Sequence, residues 1–163
     1  MFTTILWRFT MAGLIAVFIV ATPARSAFAD EKGKGVEGSW RVTITGGPGT
    51  PQLPTWYQAL VTFGTDGGLV ATITDPLLQT GHGAWGKKGK QVFAVTILLF
   101  QFGPDGSFLG TLKARATLEL NDKGDTFSSD DYQFEFFDPD GDPTGFVGIG
   151  AAHGTRIKVE PLP

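Results

Sequence analysis

The 163-residue chain has no cysteine. That excludes a disulfide framework, a thiolate metal site, a thiol nucleophile and thiol redox chemistry, and leaves the core alone to hold the fold. Histidine is nearly as scarce, with only His82 and His153. Zinc normally takes at least three protein ligands, so no metal is expected, and no cofactor is implied. A basic block is also missing, since 13 lysines and arginines face 16 aspartates and glutamates for a net charge of −3. Nucleic acid is therefore not an expected partner, and there is no polybasic patch to hold the chain on anionic lipid. No window combines helical period with helical length.

Long apolar runs are absent too. Met11 to Ala21 is an eleven-residue run, and crossing a bilayer takes about 20 apolar residues. Arg8 precedes it, Pro23 and Arg25 follow it, and Ala27 and Ala29 occupy the small-residue positions before a cut. This is the pattern of a secretory signal peptide over residues 1–29, with Asp30 as the first mature residue. The expected location is secreted or periplasmic, without stable membrane insertion after cleavage; a retained anchor is the competing reading. Residues 30–37 read as an N-terminal linker and 38–160 as one domain.

What fills that domain is period-two alternation of β-branched and aromatic residues, the signal of strands. Eight segments carry it: 39–45, 56–63, 68–74, 81–86, 91–102, 107–120, 126–137 and 144–160. Between them lie compact turns such as "GTDGG", "GPDGS", "NDKGD" and "DPDGDP", suited to hairpins that need positive φ. Successive hairpins make a meander, and eight long strands leave two costly edges unless the sheet closes. The expected fold is all-β, an eight-stranded antiparallel up-and-down barrel. Antiparallel order puts the longer loops, 46–55 and 75–81, at one end, the mouth.

Gly38-Ser39-Trp40 at the start of the first strand and Arg156 late in the last give the chain a resemblance to the lipocalin-like, or calycin, barrels. The resemblance implies that Trp40 plugs the closed end and that Arg156 packs across it. It also implies a small apolar ligand in the lumen. Allene-oxide-cyclase-like and dirigent-like barrels share the outline and imply an apolar substrate instead.

Parity assigns the lumen. In the last strand Val147, Ile149, Ala151, Ile157 and Val159 are the apolar set and should point inward, taking His153 with them. In the seventh strand Tyr132, Phe134 and Phe136 read as inward, with Ser128 and Asp130 on their parity. His153 and Asp130 then form the candidate acid–base pair, with Tyr132 as a proton donor. A Ser-His-Asp hydrolase from Ser128, His153 and Asp130 is less favoured, because no strained elbow surrounds Ser128. His82 shares a face with Ala84, opposite Trp85, and faces solvent if Trp85 fills the barrel.

Calcium at Asp138, Asp140 and Asp142 is disfavoured, because Pro143 stands where the EF-hand glycine belongs. Candidate ligand-binding residues are Trp56, Tyr57, Leu112, Ala114, Tyr132, Phe134, Phe136 and His153. Gly110, Ala114, Ala116 and Ala151 are small residues that leave room beside the aromatics. The strand at 91–102 is apolar on both faces, so its outer face suggests a homo-oligomer contact. Three functions follow: a carrier of a small apolar molecule; a cyclase, isomerase or dehydratase on the same barrel; or a non-catalytic subunit of a larger assembly.

Overall fold

Side chains alternate across a strand, so a strand with one apolar parity lays that face on a core. Eight segments do so in the computed structural model, which describes residues 35–46 and 56–162. The expected leader and its cut lie outside these residues. The strands are β1 (Gly38–Gly46), β2 (Trp56–Phe63), β3 (Gly68–Ile73), β4 (Gly81–Lys87), β5 (Val92–Phe102), β6 (Phe108–Leu120), β7 (Thr126–Phe137) and β8 (Pro143–Arg156). Each pairs antiparallel with the next, and β1 pairs with β8, so the sheet closes into a barrel. Closure leaves no open sheet edge. The all-β, eight-stranded antiparallel barrel is thus the fold, with β8 ending at Arg156 rather than Glu160.

Three hairpin turns repeat one design, in 64–68, 103–107 and 138–142. The first residue's N–H donates to the fifth residue's carbonyl, and the fourth residue's N–H donates to the first's carbonyl. That fourth residue is Gly67, Gly106 or Gly141, with φ of 85°, 82° and 92°, a conformation glycine enters without a Cβ penalty. In the last of them Asp138 Oδ1 accepts the N–H groups of Asp140 and Asp142. The aspartate-rich stretch therefore caps its own turn.

The interior is filled by side chains. Trp40, Phe93, Phe134, Leu99, Leu112 and Val36 are fully enclosed. Val36 belongs to the segment expected as linker; it packs into the base of the barrel instead.

Two expectations about facing are corrected. In β8 the inward residues are Phe146, Gly148, Ala152 and Gly154, while Val147, Ile149 and His153 stand exposed. The reason is volume. A Cβ built on Gly148 would fall inside the Phe134 ring, and one on Gly154 inside the Phe127 ring. The β7 aromatics occupy the space that larger β8 side chains would need, and close-packed interiors do not accept both. In β7, Ser129 pairs with Ala152 and Tyr132 with Gly150, leaving Asp130 and Asp131 opposite Ala151 alone. This β-bulge reverses parity along the strand. Phe127 and Ser129 point inward below it, Tyr132 and Phe134 above it, and Ser128 and Asp130 face water.

A smaller slip between Gln101 and Phe102 in the β5–β6 ladder accompanies an exposed Phe108.

Volume control predicts opposite outcomes for two substitutions. Gly154→Val should destabilise by about 1–3 kcal/mol through overpacking against Phe127, and Phe127→Leu in the same chain should restore part of the loss. Val147→Thr should stay within about 0.5 kcal/mol, as for an exposed site. Urea unfolding midpoints check both; a costly Val147→Thr with a silent Gly154→Val would reverse the assignment of faces.

Candidate functional site

The closed end is built around a single guanidinium. Arg156 Nε donates to the Gly124 carbonyl at 2.6 Å, Nη2 to the Gly35 carbonyl at 2.6 Å and Nη1 to the Glu37 carbonyl. Its Cζ lies 4.2 Å from the Trp40 ring centroid. The planar fork of arginine suits this arrangement, bonding through its edge and stacking through its face. Trp40 in turn donates its indole N–H to the Val36 carbonyl at 2.7 Å and packs on Phe127 with centroids 5.0 Å apart. Burial lowers the Arg156 pKa, an effect opposed by the carboxylates of Glu37 and Asp125. Both Trp40 and Arg156 therefore act at the base, joining β1, β8, the β6–β7 turn and the chain before β1.

His153, Asp130 and Tyr132 are not brought together. His153 pairs with Ser128 in the β7–β8 ladder, as the hairpin register requires, but both side chains lie outside. Asp130 is outside as well, and Tyr132 is inside. The acid–base residues expected in the lumen thus stand on the outer surface, separated from the tyrosine by the barrel wall, because the bulge and the β8 volume match set the faces. Glu119, Ser128 and His153 form one row across β6, β7 and β8. They line a shallow, solvent-open cleft of about 250 Å³ with Leu120, Asn121, Thr126 and Phe127.

The bulge itself is held by Asp131. Its Oδ1 accepts the Thr117 N–H at 2.7 Å and the Ser129 hydroxyl at 2.9 Å, patching the β6–β7 ladder where register is lost between Arg115 and Glu119. Burial works against its ionisation, but the hydrogen bonds from Thr117 and Ser129 outweigh it and hold the carboxyl below its ordinary range.

Toward the mouth the inward residues are Tyr57, Leu112, Ala114, Tyr132 and Phe134, all buried. The chain's only two tyrosines meet there, hydroxyl to hydroxyl, at 3.1 Å. Burial pushes the Tyr132 pKa well up, with the neighbouring Tyr57 adding to it. Burial likewise raises Tyr57, outweighing a lowering by the Tyr132 hydrogen bond, and the Asp75 charge adds a lesser push upward. Both hydroxyls are therefore protonated through the neutral range. Phe136 and Phe146 stack above Phe134, with centroids 5.9 and 6.0 Å from it and 5.6 Å from each other. These two rings and Ile73 are only partly buried. The Trp56 side chain and the 47–55 loop lie outside the described residues.

His82 faces solvent between Val70 and Leu98. Trp85 takes the inner position, against Phe63 at 6.3 Å and Phe93 at 5.8 Å, and donates its indole N–H to the Gly64 carbonyl. Among the described residues no group of three or more His, Asp or Glu side chains is placed to hold a metal.

Two features escaped the sequence reading. One is the bulge at Asp130 and Asp131, at which only the polar run from Ser128 to Asp131 hints. Leu78 sits in a loop yet is buried, because the 74–80 segment folds onto β5, with Phe102 N–H donating to the Leu77 carbonyl.

The sign of the Asp131 effect is fixed by its lowered folded-state pKa. Its contribution is complete above the unfolded carboxyl value of about 4 and is lost as pH falls through the lower folded value. Asp131→Asn keeps an acceptor and removes the charge. Urea unfolding should show the variant less stable at pH 7, by about 1 kcal/mol, with the two proteins converging on acidification below pH 4. A gap unchanged from pH 7 to pH 3 would remove the charge from the account. The chain matches no protein-family model, and searches of curated proteins and of solved structures return no match either.

Proposed function

We propose that the chain is an exported binding barrel that holds a small apolar molecule at its mouth, above a packed interior. One observation carries the reading. Leu112, Ala114 and Phe134 are closed off from solvent, whereas Phe136, Phe146 and Ile73 next to the mouth keep partial exposure. Half-buried aromatics over an apolar floor are what a small apolar ligand needs. Export rests on the Arg8, Met11–Ala21 and Ala27–Ala29 pattern. The enzyme reading loses its support because His153 and Asp130 stand across the wall from Tyr132.

An environment-sensitive apolar dye, N-phenyl-1-naphthylamine, should bind the purified protein and brighten. Phe146→Ser should weaken it roughly tenfold or more, since a lost Phe contact is worth about 1.5–3 kcal/mol. Binding unaffected by Phe146→Ser but lost on Phe100→Ser would move the site to the outer wall. Protein from an export-competent host should have the intact mass of a chain starting at Asp30.

A second reading, self-association, rests on the outer face of β5. Leu98 and Phe100 are 48% and 57% exposed, beside Phe108 and Leu109; Phe100 and Phe102 both pack edgewise or tilted on Phe108. A closed barrel offers no edge to a partner, so contact must be face to face. The outward residues of β5 (Val92, Ala94, Thr96, Leu98 and Phe100) are all uncharged. These residues make an uncharged strip on which two copies can meet. Sedimentation velocity should show a dimer that Phe100→Lys dissociates; a monomer at high micromolar concentration would end this reading.

A further inference from the structure

We infer that the ligand at the mouth carries an uncharged hydrogen-bond acceptor at its inner end, a ketone, aldehyde, ester or ether oxygen, received by the Tyr57–Tyr132 hydroxyl pair. The inference rests on the mouth-binding reading and adds the chemical class of the ligand.

The argument is a count of donors. Each phenol has one hydroxyl hydrogen. The bond between Tyr57 and Tyr132 uses one of the two. Among the described residues no acceptor meets the other. Both tyrosines are 6% exposed, so water has little access to the remaining hydrogen, and a buried donor without an acceptor is costly. Around the pair the surface is apolar: Ile44 is the β1 partner of Tyr57, and the Phe134 ring lies 6.1 Å from that of Tyr132. The hydrogen without an acceptor among the described residues thus lies beside apolar side chains below the mouth, where a single acceptor on an apolar ligand would both pair it and fix the ligand's orientation.

Charge selects the acceptor. The inward-facing described residues of the barrel wall include no lysine or histidine, and Arg156 is committed to the closed end. A carboxylate at the tyrosine pair would be desolvated without a counter-ion. One acidic group acts the same way. Asp75 lies close enough to raise the Tyr57 pKa through its charge, and its carboxylate is fixed in the β3–β4 loop by the Leu77 N–H at 2.9 Å. An anion is repelled there, whereas a neutral carbonyl or ether is not.

Three ten-carbon probes separate these terms: decane, decan-2-one and decanoate, each displacing the naphthylamine dye from the full purified protein at pH 7. Decan-2-one should compete at least fivefold better than decane, and decanoate worse than both. Either single Tyr→Phe variant still leaves one hydroxyl hydrogen for the ligand and should keep the preference, whereas Tyr57→Phe with Tyr132→Phe together should bring the ketone-to-decane preference toward one; the comparison within the natural chain serves if that variant does not fold. Equal competition by decane and decan-2-one in the natural chain would overturn the acceptor inference and leave the mouth reading standing. So would a preference that survives both substitutions, or decanoate as the best competitor. Failure of all three probes to displace the dye would instead remove the mouth reading, and this inference with it.

Discussion

One extra residue in β7, held by the carboxylate of Asp131, decides what this barrel presents to each side of its wall. A strand without the bulge would keep Ser128, Asp130 and Tyr132 on one face. With it, Ser129 turns inward and bonds to Asp131, and Tyr132 turns inward to meet Tyr57. The polar side chains of the lower strand go to solvent. A bulge costs ladder hydrogen bonds, and here the Asp131 carboxylate replaces one of them by accepting the Thr117 N–H. Among the described buried residues turned inward, Tyr57, Ser129 and Tyr132 carry the hydroxyls.

The legible parts of the fold were those set by local chemistry. Alternation in β1, β2 and β6 and the Asp-Gly turns each depend on neighbours within a few residues, so eight strands and their order could be read directly. The face of β8 could not. Val147, Ile149 and Ala151 compete with Phe146, Gly148 and Ala152 for the inside, and hydrophobicity favours the wrong set. The choice lies with Phe127 and Phe134 of the paired strand β7, whose ring volumes do not enter a reading of β8 alone. Gly148 and Gly154 win their inward positions by being empty. The candidate site failed for the same reason: placing His153 by hydrophobic parity ignored the volume already used by its neighbour strand.

The closed end shows the converse. Trp40 and Arg156 were legible because both lie near termini of paired strands, and antiparallel closure sends them to one end. What remained hidden was the set of acceptors. Gly35 and Glu37 belong to a segment that reads as linker, and their carbonyls become visible only once the guanidinium is placed. Arg156 therefore extends the barrel by several residues beyond its first strand and explains why Val36 is enclosed.

Base and mouth then differ in kind. At the base a charged fork meets three backbone carbonyls on two segments and stacks on Trp40, so each guanidinium nitrogen has an acceptor and the indole face is covered. At the mouth two phenols share one hydrogen bond beneath Phe136 and Phe146, whose rings are only partly covered. Buried polar groups favour partners, and exposed aromatic area favours cover. Both demands point to the same end of the barrel, and an apolar molecule with one neutral acceptor meets both of them at once.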